Sequence, residues 1–251
     1  MGNKVTMILR TFNRLEYTIQ TIATFIDNTQ YSNHELLVFD NMSTDWTRER
    51  LTWMKSNVDG WFFNKVRVIL SDENHWDWWW MVEAMKYVSE DTVYVWQLDN
   101  DILMPKDWIK YMAHILDTTD NNSVSLKRHW EKWELVAKDI KKTEIDWDIL
   151  EYWLIEKAVA NYIIRKEIFE KWIKKLWKNC WWQWKWRLAK DDDLCNWKVV
   201  KIINKPCRII EWREISENEE YYDGSTKKVR AETTPIQLIK YPKSPKTHVK
   251  I

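Results

Sequence analysis

The sequence predicts an α/β fold, with a mostly parallel central sheet covered by helices on both faces. Short apolar runs alternate with stretches of helical period through the first hundred residues. Two of those runs lead directly into an aspartate, Asp40 and Asp99, at the carboxyl ends of strands where open α/β sheets bind their ligands. The 251 residues show no internal repeat and suffice for one sizeable core with, at most, a small appendage.

Residues 5–10 form the first expected strand, and 15–29 a helix whose apolar face carries Tyr17, Ile19, Ile22, Ala23 and Phe25. Glu35-Leu36-Leu37-Val38-Phe39 is the second strand, 47–55 the next helix, 66–70 the third strand and 81–87 a helix before the strand at 92–98. A helix over 107–116 follows Pro105, then a short strand over 123–127. Residues 131–156 mix charge, Trp and acids and are expected to form an excursion beside the active site. Residues 159–164 are a strand, 165–177 a basic helix, and 188–199 open a further helix with Asp191, Asp192 and Asp193. The expected division is one domain over 1–215 and an extension of loops, a hairpin and a basic tail over 216–251.

The run Val93-Tyr94-Val95-Trp96-Gln97-Leu98-Asp99-Asn100-Asp101 carries the most chemistry. Read as a strand, its alternation turns Asp99 and Asp101 to the same side. Two hard carboxylate ligands there suit a divalent cation bridged to a diphosphate. The same pair would otherwise be a solvated strand end.

Charge is nearly balanced, 39 Lys plus Arg against 38 Asp plus Glu, so no overall field attracts nucleic acid. Cys180, Cys195 and Cys207 lack the spacing of a disulfide framework or a zinc ribbon. The start of the sequence has no apolar leader core, and no run reaches about 18 apolar residues. The expected location is cytoplasmic, with peripheral contact to the inner membrane surface through the basic tail.

Trp is far too common and Gly far too rare: 21 against 3, where a soluble domain carries about 7% Gly. Many of these Trp fall in turn-like segments, including Trp46 and the clusters at 76–80 and 181–186. The expectation is that many are glycines in the native protein, encoded by UGA in an organism that reads this codon as Gly. The alternative is a Trp surface that stacks on sugars.

Five segments in order carry a family resemblance: Thr11-Phe12-Asn13-Arg14; Asp40-Asn41-Met42-Ser43-Thr44-Asp45-Trp46-Thr47; Glu73-Asn74-His75-Trp76-Asp77-Trp78-Trp79-Trp80; Leu98-Asp99-Asn100-Asp101; and Ala189-Lys190-Asp191-Asp192-Asp193-Leu194-Cys195. Over roughly residues 4–212 the chain resembles a family 2 type glycosyltransferase of the GT-A fold, a three-layer α/β/α sandwich that binds nucleotide-diphospho-sugars. Trp46, Trp76, Trp79 and Trp80 fall where that family prefers Gly.

The resemblance implies that Thr11, Asn13, Arg14, Asp40, Asn74 and Asp99 bind the donor. Asp40 would accept from a ring N–H of the base. Asp99 and Asp101 would hold Mn2+ or Mg2+. Asp191 would be the base that deprotonates the acceptor hydroxyl, although Lys190 replaces the family's Glu, and Asp192 or Asp193 is an alternative. Trp212 stands where many relatives have His. The implied reaction moves a sugar, with inversion, to a glycan, lipid-linked or protein acceptor, and Asp146 and Asp148 are candidates for acceptor hydroxyls. A sugar nucleotidyltransferase and a catalytically silent carbohydrate-binding relative remain as alternatives.

Overall fold

A computed structural model of the chain describes residues 2–57, 66–75, 79–128, 140–155, 162–179 and 199–209. The elements run β1 (Val5–Thr11), α1 (Leu15–Asp27), β2 (His34–Asp40), α2 (Trp46–Asn57), β3 (Val66–Leu70), α3 (Trp79–Met85), β4 (Tyr94–Leu98), β5 (Ile102–Leu103) and α4 (Trp108–Thr118). They continue with β6 (Ser123–Arg128), β7 (Lys141–Ile145), β8 (Asp148–Ile155), β9 (Tyr162–Arg165), α5 (Lys166–Asn179) and β10 (Val199–Ile209). Asp191 and the whole of 216–251 lie outside the described residues, as do Trp76, Trp78, Trp181, Trp182, Trp184 and Trp212.

The sheet order is β3-β2-β1-β4-β9-β6-β10-β8-β7, with β5 paired to β10. β3, β2, β1 and β4 are mutually parallel. Their near-continuous apolar sequences follow from burial on both faces, and alternation shares the side chains between two cores. Met7, Leu9, Leu36, Val38, Tyr94, Trp96 and Leu98 pack with Phe25 of α1, Leu51 of α2 and Trp108 of α4. Ile8, Leu37, Phe39 and Val95 pack on the other face with Trp80, Met81 and Ala84 of α3 and Phe169 of α5. Three layers result, as the sequence predicts. The second half is mixed, because β9 runs antiparallel to both β4 and β6 while β6 and β10 are parallel.

The described part of the expected excursion at 131–156 is instead a hairpin. β8 pairs antiparallel with β10 from Tyr152↔Ile202 to Ile155↔Val199, and β7 closes the sheet edge. Its tip docks on α4: Asp146 forms an ion pair with Lys110, and Asp148 accepts a hydrogen bond from the Tyr111 hydroxyl. The two acids expected to meet acceptor hydroxyls thus fasten a hairpin to a helix.

At the amino ends of the parallel strands, Glu35 is buried. It accepts from Thr6 Oγ1 at 2.8 Å, Ser89 Oγ at 3.0 Å and Arg67 Nη2 at 3.1 Å, with Lys4 Nζ at 3.7 Å. Burial pushes its carboxyl upward, but the hydrogen bonds and the two cations outweigh burial and hold it below the usual range. A carboxyl depressed in the folded state stabilises above its unfolded pKa, about 4.3, and that stabilisation fades as pH falls through the folded value. Glu35→Gln is expected to cost about 1–3 kcal/mol at pH 7 and to flatten the acid limb of the stability curve, as read by urea melts between about pH 3 and 7. An unchanged acid limb would assign that pH dependence to other groups.

Candidate active site

Strand register assembles the site. Thr11 pairs with Asp40, Asp40 with Leu70, and Leu9 with Leu98. Four loops therefore leave one edge of the sheet together, at the carboxyl ends where α/β ligands bind.

The loops after β1 and β2 are joined by Asn13. Its N–H donates to Ser43 Oγ at 2.8 Å, and its Oδ1 accepts from the N–H groups of Thr44 at 2.8 Å and Asp45 at 3.3 Å. Asn13 and Arg14 take successive left-handed conformations, φ 57° and 63°, a backbone that Asn tolerates better than Arg. The turn brings the chain directly into α1. Thr11 is fully buried and shapes the loop from beneath. Its hydroxyl donates to the Asn13 carbonyl at 3.2 Å, so it accepts in its 2.7 Å contact with Thr18, whose oxygen accepts from Asn100 Nδ2 at 3.1 Å. This relay ties the loop after β4 to α1.

β4 ends at Leu98, so Asp99, Asn100 and Asp101 stand in the turn beyond it rather than on an alternating strand. The expected side-by-side presentation therefore depends on that turn and on the Asn100 anchor. Both acids are partly exposed, and Arg14 Nη1 lies 3.9 Å from Asp101 Oδ2. No cluster of three or more metal-ligating side chains occurs among the described residues. Two accessible carboxylates nonetheless fit Mg2+ or Mn2+, hard ions that retain waters and take further ligands from substrate phosphates.

Asp40 is fully buried. Its two oxygens accept from the Ser43 N–H, both at 3.3 Å, and Oδ2 also accepts from Arg48 Nη1 at 3.2 Å. Burial raises its pKa, and the Ser43 and Arg48 contacts only partly offset that rise. Next to it, the buried Asn41 donates through Nδ2 to Asn74 Oδ1 at 2.8 Å and accepts from the His75 N–H at 2.9 Å. His75 Nε2 in turn lies 3.0 Å from Ser71 Oγ. Asn74 is thus held to the end of β2, in the same loop cluster as Asp40.

The structure brings together Thr11, Asn13, Arg14, Asp40, Asn74, Asp99 and Asp101. Sequence reasoning missed Thr18, Asn41, Asn100 and Arg48. Asn41 and Asn100 lie inside the motif segments, and their places directly after one acid and between two were the available signal. Thr18 and Arg48 gave none, since each acts across elements.

Residues 6–179 match the family model described as Glycosyl transferase family 2. The chain belongs to glycosyl transferase family 2. No curated protein matches the sequence significantly. Among solved structures, that of residues 1–349 of S. aureus TarS is similar at TM-score 0.56 and 13% identity, covering 82% of this chain and 60% of that one. The same fragment in complex with UDP-GlcNAc gives 0.55 and 15%, covering 86% and 60%. The chain therefore spans about 60% of the length of that fragment. The 4-diphosphocytidyl-2C-methyl-D-erythritol synthase of Anaerococcus prevotii DSM 20548 is similar at 0.52 and 13%, covering 85% of this chain and 93% of that one. At such identities these likenesses show the shared fold. The family 2 membership rests on the sequence match, whose span includes four of the five motif segments.

Proposed function

We propose that this family 2 protein transfers a sugar from a nucleotide-diphospho-sugar to a hydroxyl of a glycan, lipid-linked or protein acceptor, with inversion. The observation that carries the reading is the convergence, at one sheet edge, of the Asp40 loop, the Asn74 loop and the Asp99–Asp101 turn. TarS, which shares the fold, has been solved with UDP and with UDP-GlcNAc.

Asp99 and Asp101 would hold Mn2+ or Mg2+, which when bound supplies Lewis-acid stabilisation of the departing nucleoside diphosphate. Arg14, beside Asp101, adds positive charge where diphosphate charge grows. The loops around Asp40 and Asn74 seat the nucleoside, which fixes the sugar's anomeric carbon for in-line attack. The bond from that carbon to the diphosphate breaks as the bond to the acceptor oxygen forms, and Asp191, outside the described residues, takes the acceptor's proton. A cytoplasmic site of action with contact at the inner membrane surface belongs to the same reading.

A panel of UDP-, GDP- and dTDP-sugars, with Mn2+ and with chelator, tests it. Metal-dependent release of nucleoside diphosphate from one donor class is expected. Binding of a nucleotide-sugar without turnover, across acceptors of all three classes, would favour a silent relative.

A further inference from the structure

β7 is the last strand of the sheet order among the described residues. Its sequence, Lys141-Lys142-Thr143-Glu144-Ile145, holds an unbroken register with β8 and contains neither bulge nor proline, two of the devices that blunt an open sheet edge. Lysine is a third device, but Lys142 is already paired with Glu151 of β8, Nζ to Oε1 at 2.8 Å. The turn decides which backbone groups face outward. Only Asp146 and Trp147 separate the strands, so Ile145 and Asp148 are a hydrogen-bonded pair, and such pairs alternate along an antiparallel ladder. Lys141, Thr143 and Ile145 therefore direct their backbone groups to β8, whereas Lys142 and Glu144 direct theirs to the open edge. Side chains divide in the same way. Thr143 Oγ1 lies 3.4 Å from His114 Nε2 of α4 and Ile145 packs against the core, while Lys142 and Glu144 are exposed on the other face.

We propose that this edge is a homodimer interface, in which β7 pairs antiparallel with β7 of a second copy about a two-fold axis at Thr143. The axis sets Lys142 opposite the partner's Glu144, and Glu144 opposite the partner's Lys142. Both residues have outward-facing backbone groups, so each row exchanges two hydrogen bonds. Each row is also a pair of opposite charges. Glu144 forms no ion pair among the described residues, and the Lys142 ammonium has three donors. It can serve its own Glu151 and the partner's Glu144 together, which extends one charge ladder across the joined sheets. Charge selects this register over its neighbours. An axis at Lys142 opposes lysine to lysine and an axis at Glu144 opposes two acids, both destabilising. An axis between two residues opposes outward-facing groups to groups already spent on β8. The proposal goes beyond the transferase reading and does not rest on it, because β7 contains none of the motif segments.

Strands this short bury less than the roughly 1,200 Å2 of a standard interface, so a weak, micromolar dimer is expected. Sedimentation equilibrium of the full chain, over a series reaching several hundred micromolar, tests this with Lys142→Glu, Glu144→Lys and an equimolar mixture of the two. The Lys142 side chain is 64% exposed and Glu144 is exposed as well, so thermal melts should show every variant folded. Wild type should pass reversibly from monomer to dimer as concentration rises, and less readily at high salt. Each variant alone opposes like charges in both rows and should lose about tenfold or more in dimer affinity. The mixture opposes an edge with two acids to an edge with two cations, so it should recover about tenfold over either variant alone. A wild type that stays monomeric throughout, a dimer that either substitution leaves unchanged, or a mixture no tighter than its components would each overturn the proposal.

Discussion

Asp101→Ala is expected to reduce metal-dependent release of nucleoside diphosphate by about a hundredfold or more, since a bound cation's share of transition-state stabilisation is several kcal/mol. Stability should change by less than about 1 kcal/mol, because the side chain is partly exposed and its contact with Arg14 is long, at 3.9 Å. Two readouts separate loss of metal from loss of fold. Mn2+ binding followed by its paramagnetic signal should weaken in Asp101→Ala, while the thermal midpoint stays put. Asp101→Asn keeps the shape and removes the charge, so it should fall close to the alanine variant. Unchanged Mn2+ binding with full turnover would mean that the cation, if any, is held elsewhere.

The largest stability effects are expected at two tryptophans. Trp96 and Trp108 are fully buried, with ring centroids 4.2 Å apart, and Phe25 lies 5.7 Å from Trp108. Cutting a buried Trp to Ala costs about 3–5 kcal/mol, and Gly adds up to about 1 kcal/mol of backbone cost. Trp96→Gly and Trp108→Gly should each remove most of the stability of a domain of this size, about 5–15 kcal/mol. Trp147 is the opposite case. It is 97% exposed in the two-residue turn between Ile145 and Asp148. Trp147→Gly should stay within about 1 kcal/mol of the parent. Chemical denaturation of the three variants checks both expectations. Peptide mass spectrometry of the native protein then tests the codon reading, with Trp expected at 96 and 108 and Gly at 147.

The described tryptophans also qualify why glycine was expected. Among the described residues the left-handed positions are Asn13, Arg14, Met42, Asp107 and Asp146, none of them Trp. In the loop after β2 the conformation that favours Gly falls on Met42, φ 67°, and Trp46 instead begins α2. For these residues the case for glycine rests on composition, exposure and the family pattern rather than on backbone strain.

Much of the fold was legible because its signals are local. The near-continuous apolar runs within 5–10, 35–39 and 66–70 announce a sheet buried on both faces. The apolar period of α1 and the position of α4 after Pro105 place both helices within two residues of their expected bounds. The hairpin at 141–155 was not legible, since Lys141–Ile145 has only partly covered or exposed residues and gains its place by pairing with β8.

By itself the sequence determined the α/β class, the strand ends at which Asp40, Asp99 and Asp101 emerge, and membership in glycosyl transferase family 2. Only the tertiary structure decided that Asn100 reaches Thr18 across 82 positions, that Asn41 holds Asn74 across 33, and that Arg48 rather than open space stands over Asp40. Periodicity and motif order are properties of neighbouring residues. A hydrogen bond between two loops exists only once strand register has brought their backbones together and burial has made an unpaired polar group too costly to leave.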